Sequence, residues 1–254
     1  NRCRRQRQMC IRDRLWTQYR RVLKSTGCVV LTADQPFTSQ LVMSNIEWFK
    51  YEWIWKKKKT TGFLHANARP MKQTEDILVF SPLGASGGSV KANKNMTYNP
   101  QGLIEKRVKK KNSASRLGKF LHQPEHMGKG NKLLHETEYE QKYTNYPSEI
   151  IEFGLDKDSI HPTQKPVALM DYLIKTYSNE NEVVLDNCMG SGTTGVAAVK
   201  CNRQFIGVEK DKNYFDLASD RIMSVGKVSQ EVDTPLTRLL LSLIHISEPT
   251  RHTR

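Results

Sequence analysis

Asp186 to Gly195, with the sequence DNCMGSGTTG, is the stretch that decides the fold of this 254-residue chain. It follows an apolar, β-branched run at Val183–Leu185 and precedes a run of small apolar residues at 196–199. The first run predicts a strand, the second predicts a helix, and the glycines between them predict a tight turn. In an open α/β sheet, nucleotide-like cofactors bind at such turns, beyond the carboxyl ends of the strands. The pattern therefore predicts an α/β fold with a cofactor site at this turn.

The glycine pattern alone is compatible with more than one ligand. Gly190, Gly192 and Gly195 also satisfy the G-x-G-x-x-G pattern of dinucleotide sites. Glu209 ends the next strand-like run, Phe205–Val208, where an acid can hold ribose hydroxyls in either case. Glycine at these positions lets backbone amides approach a ligand closely. A phosphate-binding P-loop is disfavoured because no Gly-Lys-Ser/Thr follows, whereas a purely structural turn stays an alternative.

A second motif lies upstream of the glycine turn. Residues 161–166 read HPTQKP and are followed by VALMDYLIKTY. Pro166 suits the first turn of a helix. Apolar residues then recur at helical spacing: Val167, Met170, Leu173, Ile174 and Tyr177. The sequence therefore predicts a proline-stiffened loop that leads into a helix beside the glycine strand.

The order HPTQKP, VLDNCMGSGTTG and FIGVEKD resembles the amino-group DNA methyltransferases that use S-adenosyl-L-methionine. More narrowly, it resembles their permuted β class, in which the cofactor half follows the catalytic half. The resemblance runs from about Leu15 to Arg221 and includes predicted strands at Cys28–Leu31, within residues 51–57 and at Ile77–Phe80. It implies an α/β, Rossmann-like methyltransferase fold. In that fold a mixed, mostly parallel sheet carries helices on both faces.

The resemblance also implies the residues of the cofactor site. The glycine turn would surround the amino-acid part of S-adenosyl-L-methionine, Glu209 would hold its ribose hydroxyls, and the HPTQKP loop would cover the other side. The expected cofactor-binding residues are Asp186, Cys188, Gly190, Gly192, Thr193, Glu209, His161, Thr163, Gln164, Lys165 and Pro166. Cys188 is expected to line the turn and not to act as a nucleophile, because a 5-methylcytosine enzyme would need a Pro-Cys turn. No metal is expected.

One element of the family pattern is absent from the sequence. The family carries a tetrapeptide of the type Asp/Ser/Asn-Pro-Pro-aromatic, which holds the target amino group and stacks on the flipped base. It should precede Leu15, and it occurs nowhere in the chain, so the catalytic residues cannot be assigned. Its strand should lie centrally, between Val183–Leu185 and Cys28–Leu31. We therefore expect this polypeptide to be inactive on DNA, and a non-catalytic cofactor- or DNA-binding fragment remains an alternative.

Both ends of the chain are predicted to be derived from sequencing adapters. Met9–Asp13 can be encoded by ATG TGT ATA AGA GAC, whose reverse complement in a shifted frame gives Ser242–Ile246. Two termini that translate one inverted repeat are typical of a transposase adapter that was read as coding sequence. Residues 1–14 and 241–254 are therefore expected to be non-native and are left out of the functional interpretation. Termini that are not inverted repeats at the nucleotide level would contradict this expectation.

The positive charge of the chain is concentrated in one segment. The formal net charge is +14 with a sequence pI of about 9.6, and residues 84–147 hold twelve Lys and Arg against five Glu. Such local clustering is what a phosphate backbone selects for, although a solvated charge run or a disordered linker has a similar composition. The resemblance places a target-recognition insertion here. The expected DNA-binding residues are Lys106, Arg107, Lys109, Lys110, Lys111 and Arg116. The run Lys56–Lys59 is expected either to contact DNA or to form an exposed loop.

These inferences define the expected domain organisation. The genuine chain comprises an incomplete catalytic half (15–83), the target-recognition insertion (84–147), the S-adenosyl-L-methionine-binding half (148–225) and a tail (226–240). No apolar run approaches membrane-spanning length and no secretory signal is visible, which favours a cytoplasmic protein. The expected partner is double-stranded DNA, and the intact parent is a candidate homodimer. Adenine N6 is favoured over cytosine N4 as the methylated atom, and an NAD-dependent oxidoreductase is the remaining alternative.

Overall fold

The computed structural model describes residues 14–84, 95–111, 138–157, 160, 161, 163–229 and 242–245. The chain divides into two compact units. Unit 1 comprises Asn1–Asn99 and Ser148–Arg254, and unit 2 comprises Pro100–Pro147.

The described residues contain nine strands and five α-helices. The strands are β1 (Val29–Ala33), β2 (Phe49–Thr61), β3 (Lys72–Phe80), β4 (Ile104–Lys111), β5 (Glu138–Thr144), β6 (Ile150–Phe153), β7 (Val183–Asp186), β8 (Gln204–Glu209) and β9 (Ser242–His245). The helices are α1 (residues 14–22), α2 (Phe37–Ser44), α3 (Val167–Tyr177), α4 (Thr193–Lys200) and α5 (Lys212–Ser229). None of these helices is both long and apolar enough to cross a membrane.

Unit 1 contains a four-stranded sheet in the order β1-β3-β2-β6. Strand β3 is antiparallel to both β1 and β2, whereas β6 is parallel to β2. Successive residues of β3 enter different core clusters because side chains alternate across a strand. Ile77 packs in the cluster that contains Leu169 of α3, and Phe80 packs in the cluster that contains Trp16 of α1 and Leu41 of α2. The expectation of helices on both faces is thereby confirmed for this sheet.

A separate sheet of unit 1 carries the glycine turn. Strands β7, β8 and β9 are parallel and lie in that order. Helix α4 packs against this sheet through small residues, and Phe205 of β8 and Ile222 of α5 are fully buried in the same cluster. The predicted strand–turn–helix at the glycine motif is therefore present. Strand β9 falls within the predicted adapter segment 241–254, and the origin of that segment stays a prediction.

The two sheets of unit 1 each end in a strand with one neighbour, namely β1 and β7. Helix α3 contributes Leu169 to one core cluster and Ile174 to the other. Two apolar side chains of β7 stay exposed, Val183 at 50% and Leu185 at 42%. The mixed α/β character of the fold is confirmed. The described strands nevertheless form separate sheets and no single, mostly parallel sheet.

Two lysine-rich runs lie in strands that the sequence did not predict to this extent. The Lys56–Lys59 run belongs to the long strand β2, so the alternative of an exposed loop is wrong. In unit 2, β4 pairs antiparallel with β5 and includes the 106–111 run. The composition of this segment indicated a linker or an irregular insertion. Cross-strand pairing outweighs that local composition, because each lysine can keep its head in water while its backbone joins a ladder.

Candidate functional site

Asp186 pins the start of the glycine turn. It is the last residue of β7, and its Oδ1 accepts a hydrogen bond from the amide of Cys188 at 3.0 Å. Its Oδ2 accepts a second hydrogen bond from Oγ1 of Thr194 in the first turn of α4, at 2.6 Å. The two carboxylate oxygens therefore hold the strand end and the helix start together. Sequence reasoning assigned Asp186 to the cofactor, and the structure adds this role in shaping the turn.

The glycines of the turn have distinct structural reasons. Gly190 and Gly192 both have positive φ angles, +49° and +72°, which other L-residues adopt rarely. A Cβ on Gly192 would lie 2.9 Å from the Cβ of Ala218 in α5, closer than packed carbon atoms approach. A Cβ on Gly190 would meet only the ring of His161, at 3.7 Å. Gly192 is thus required by helix packing as well as by its backbone, whereas Gly190 faces the HPTQKP loop.

Glu209 ties the ends of β7 and β8 together. Its Oε2 accepts a hydrogen bond from the amide of Gly190 at 2.9 Å. Its Oε1 accepts hydrogen bonds from the amides of Lys210 and Asp211 at 2.8 and 2.9 Å. Three backbone donors therefore fix the carboxylate at the carboxyl end of the parallel strands, as the sequence predicted.

The HPTQKP loop faces the glycine turn through its histidine. The ring of His161 contacts the ring of Tyr214 of α5 edge to face, with centroids 4.5 Å apart. The amide of Thr163 donates to Nδ1 of His161 at 3.1 Å, and the amide of Gln164 donates to the carbonyl of His161 at 3.0 Å. These contacts fix the ring beside Gly190. Pro162 of the motif lies outside the described residues.

Lys165 of the same loop points to the four-stranded sheet. Its Nζ pairs with Oε1 of Glu75 on β3, and Nζ of Lys57 on β2 pairs with Oε2 of Glu75 at 3.0 Å. Both ammonium groups lie over the ring of Trp55, at 5.7 and 5.0 Å from its centroid. The Glu75 side chain is only 10% exposed. One nearly buried carboxylate thus anchors the loop to the sheet through two lysines.

Arg221 of α5 joins the two walls of the site. Its Nη1 donates to the carbonyl of Ser191 and to Oγ1 of Thr193, both at 3.0 Å. Its Nη2 lies 3.9 Å from Oδ2 of Asp156, which also accepts a hydrogen bond from the amide of Val167 at 3.1 Å. The guanidinium therefore links the glycine turn to the segment that leads into α3.

Tyr19 brings α1 to the glycine turn. Its hydroxyl donates to Oδ1 of Asn187 at 2.9 Å, and burial together with the charges of Cys188 and Asp186 raises its pKa to about 12. Although Cys188 as a whole residue is exposed, burial of its thiol and the carboxylates of Asp186 and Glu209 raise the thiol pKa. A raised pKa disfavours the thiolate, and the thiolate is the nucleophilic form of cysteine.

The structure gathers most of the predicted site residues in unit 1 at one place. Asp186, Cys188, Gly190, Glu209 and His161 lie around the glycine turn, while Lys165 is held at Glu75. Sequence reasoning missed the following residues: Tyr19, Glu75, Tyr214 and Arg221. No local motif marks them, since each contacts the site across a long separation in sequence. Among the described residues, no group of His, Cys, Asp and Glu side chains is arranged to hold a metal ion.

The predicted DNA-binding residues belong to unit 2. Lys106, Arg107 and Lys109 lie exposed on β4, and Arg107 is 3.5 Å from the carboxylate of Glu105. The backbones of Lys110 and Lys111 belong to the same strand, whereas Arg116 lies outside the described residues.

Known proteins resemble this chain in sequence. A family model described as DNA methylase matches residues 12–220. The chain is 44% identical over 62 residues to the type II methyltransferase M2.LlaDCHI of Lactococcus lactis subsp. cremoris, which is 24% of this chain and 23% of that protein. The type II methyltransferase M2.DpnII of Streptococcus pneumoniae matches with the same identity and coverage. The chain thus spans about a quarter of the length of these curated relatives.

Solved structures share the fold. The M1.HpyAVI complex with S-adenosyl-L-methionine aligns with a TM-score of 0.51 and 24% identity over 80% of this chain and 78% of that chain. The cytosine-N4-specific PvuII DNA methyltransferase aligns with a TM-score of 0.52 and 13% identity over 87% of this chain and 73% of that chain. A DNA modification methylase of Thermus thermophilus, complexed with S-adenosyl-L-methionine, aligns with a TM-score of 0.51 and 18% identity over 95% of this chain and 82% of that chain.

These matches confirm the Rossmann-like methyltransferase fold that the sequence predicted. Because the family model extends from residue 12 to residue 220, and so over most of the chain, this protein belongs to the DNA methylase family of N6 and N4 amino methyltransferases.

Proposed function

We propose that the chain derives from an S-adenosyl-L-methionine-dependent DNA methyltransferase that modifies an exocyclic amino group, and that the glycine turn binds this cofactor. One observation carries the proposal. The turn, the carboxylate of Glu209 and the ring of His161 converge at the carboxyl ends of β7 and β8. Family membership supplies the reaction class, and this geometry supplies the residues.

The residues of the site fit the chemical groups of S-adenosyl-L-methionine. Glu209 accepts three backbone hydrogen bonds, and a carboxylate has about four acceptor positions, so it retains capacity for a ribose hydroxyl. The turn offers backbone groups beside Asp186 for the amino and carboxyl ends of the cofactor. The rings of His161 and Tyr214 offer an aromatic wall. By contrast, Lys165 is engaged by Glu75, so we propose that it holds the loop and leaves cofactor contact to its neighbours.

The chemistry of the reaction explains why these groups suffice on the cofactor side. The bound cofactor supplies an electrophilic methyl group on its sulfonium. The amino group of a base is a weak nucleophile, so the protein must flip the base and align its nitrogen with that methyl group. Neither step requires a protein nucleophile or a metal. Adenine N6 remains the favoured acceptor and cytosine N4 the alternative, and the residue at the first position of the family tetrapeptide is the matter to determine.

Cofactor binding tests this proposal directly. In isothermal titration calorimetry, the purified chain is expected to bind S-adenosyl-L-methionine and to show no saturable heat with NAD. The comparison separates the methyltransferase from the oxidoreductase, because both cofactors present a ribose to Glu209 but only one carries an amino acid. Binding of NAD in preference to S-adenosyl-L-methionine would overturn the proposal.

We further propose that this chain is inactive on DNA because it lacks the strand that carries the catalytic tetrapeptide. The proposal is supported by the edge positions of β1 and β7 and by the exposed apolar side chains of β7. Transfer of a labelled methyl group from S-adenosyl-L-methionine to mixed-sequence duplex DNA is expected to stay at background. Methylation by the chain alone would show that another segment supplies the missing groups.

Unit 2 is the proposed target-recognition region, with double-stranded DNA as its partner. Exposed Lys106, Arg107 and Lys109 on β4 support backbone contact, and phosphate contacts position a protein without reading the base sequence. Homodimerisation of the intact parent and a cytoplasmic location remain part of this proposal. A non-catalytic cofactor-binding fragment is the second candidate, favoured by the absent tetrapeptide; an Asp-Pro-Pro-Tyr-like motif in the upstream coding sequence would argue for the enzyme.

A further inference from the structure

The hairpin that joins β2 and β3 extends beyond the rest of its sheet. Strand β6 pairs with β2 only as far as Lys57, opposite Phe153, whereas β2 continues to Thr61, opposite Lys72 of β3. Every residue from 58 to 70 is exposed. We call residues 58–71 the β2–β3 arm. Thirteen successive exposed residues indicate an arm that packs little of its surface against its own unit.

The arm and its base carry charge of one sign. From Lys56 to Lys72 the chain has six Lys and Arg and no Asp or Glu. Three of these cations at the base form ion pairs, with the following partners: Lys56 with Glu152, Lys57 with Glu75 and Lys72 with Asp34. Within the described part of the chain, no carboxylate lies in ion-pair distance of Lys58, Lys59 or Arg69. Positive charge therefore remains uncompensated along the outer part of the arm.

The tip of the arm is apolar and preformed. Phe63 is 78% exposed and Leu64 is 95% exposed, and they are consecutive in a short 3₁₀ turn. The turn is closed by hydrogen bonds from the amide of His65 to the carbonyl of Gly62 at 2.9 Å, and from the amide of Ala66 to the carbonyl of Phe63 at 3.0 Å. Scattered exposed apolar residues are common, but two large ones at the end of a cationic arm form a contact surface.

The base of the arm lies near the candidate cofactor site. Cδ of Lys58 lies 3.2 Å from the position of a Cβ on Gly154, the first residue after β6. Gly154 begins the segment that reaches His161, whose ring faces the glycine turn at Gly190. The arm therefore extends from the same end of unit 1 that carries the site.

We propose that the β2–β3 arm inserts the Phe63–Leu64 tip between base pairs of duplex DNA, with Lys58, Lys59 and Arg69 on the phosphates. The inference rests on the proposed function, because only a base-flipping protein gains from local unstacking. Duplex DNA matches both halves of the arm, since its phosphates complement the cations and its base steps accept apolar wedges. Such a wedge lowers the cost of extruding the target base by filling the space that the base leaves.

A pair of duplexes tests the wedge. One duplex is fully paired, and the other has the same sequence with a central abasic site, where unstacking costs least. In fluorescence anisotropy the full chain is expected to bind the abasic duplex about tenfold more tightly, which is the scale of one apolar or aromatic stacking contact. The double variant Phe63→Ser/Leu64→Ser is expected to lose this preference and to retain binding of the paired duplex.

Two further variants separate the wedge from general DNA binding. Lys58→Gln/Lys59→Gln is expected to weaken both complexes equally and to reduce the slope of log affinity against log salt by about 2. Met43→Ser on α2 removes an apolar side chain that is 70% exposed and is the matched control, with no expected change. All of the substituted residues are exposed, so the folded state of each variant is expected to match that of the parent by circular dichroism.

Three outcomes would overturn the wedge. The first is equal binding of both duplexes by the unmodified chain, and the second is a preference that survives in Phe63→Ser/Leu64→Ser. The third is loss of sedimentation with anionic phosphatidylglycerol vesicles in that variant while DNA binding is unaffected, which would assign the tip to a lipid surface. Cofactor titration is independent of all three, so failure of the wedge is distinguishable from failure of the proposed methyltransferase function.

Discussion

Replacement of Glu209 by alanine is expected to weaken S-adenosyl-L-methionine binding by about 100-fold. A hydrogen bond to a charged group contributes about 1.5–3 kcal/mol, and two ribose hydroxyls would share this carboxylate. The substitution also leaves the amides of Gly190, Lys210 and Asp211 without their acceptor. Both effects act against the cofactor, because the same carboxylate binds the ligand and fixes the turn that surrounds it.

Isothermal titration calorimetry on two further variants separates the two effects. Glu209→Gln keeps the size of the side chain and one oxygen, yet its amide group would face backbone donors, so we expect a loss of about tenfold or more. Glu180→Ala removes an exposed carboxylate in the connection between α3 and β7 and is the matched control, with unchanged affinity expected. An affinity in Glu209→Ala within about threefold of the parent, below the scale of one charged hydrogen bond, would exclude Glu209 as the ribose ligand.

The local part of the site was predictable from the sequence. The strand–turn–helix at Asp186 depends on residues within one or two turns of each other, as does the helix after Pro166. The observed α3, Val167–Tyr177, coincides with the predicted helical run. Glu209 follows because parallel strands bring their carboxyl ends to one edge, so an acid at the end of β8 must approach the end of β7.

The long-range part of the site was not predictable in this way. The hydroxyl of Tyr19 meets Asn187 across 168 residues, and Lys165 meets Glu75 across 90 residues. Neither pair leaves a periodic signal, because the partners are brought together by sheet order and helix packing alone. The resemblance assigned Lys165 to the cofactor loop, and only the packing of that loop on β2 and β3 identifies its partner.

The glycines show how a correct pattern can have an additional cause. The sequence assigned Gly192 to close approach of a ligand, yet a side chain there would collide with Ala218 of α5. Close packing of α5 on the turn is thus one requirement for the motif, and positive φ angles are another. A glycine-rich pattern by itself therefore reports a tight strand–turn–helix, and the ligand must be inferred from the acid and the loop that face it.

The fold keeps one cationic cluster for structure and another for contact. At the base of the β2–β3 arm, Lys57 is 16% exposed and shares Glu75 with Lys165, whereas Lys58 and Lys59 lie open to solvent. Neighbouring lysines of one strand alternate between the two sides of the sheet, which explains this division. Composition could not assign either role, because a run of four lysines looks uniform before its strand is known.

Replacement of Glu75 by alanine is expected to lower the free energy of unfolding by about 3–5 kcal/mol, because it leaves two largely buried ammonium groups without their common partner. Lys57 and Lys165 are 16% and 21% exposed, so water can screen them only in part. The midpoint of urea unfolding measures the loss. Glu152→Ala is the matched control: it breaks the pair with Lys56, in which both side chains are about half exposed, and is expected to cost less than about 1 kcal/mol.

A triple variant tests whether charge burial is the cause. Glu75→Leu combined with Lys57→Met and Lys165→Met replaces the ionic cluster over Trp55 by apolar side chains, and such replacements are often neutral or stabilising. We expect it to recover most of the stability lost in Glu75→Ala. Persistent destabilisation in the triple variant would mean that Glu75 acts through packing and not through its charge. Because Lys165 belongs to the loop that carries His161, recovery of stability together with a lower affinity for S-adenosyl-L-methionine would show that the ionic anchor positions the loop for the cofactor.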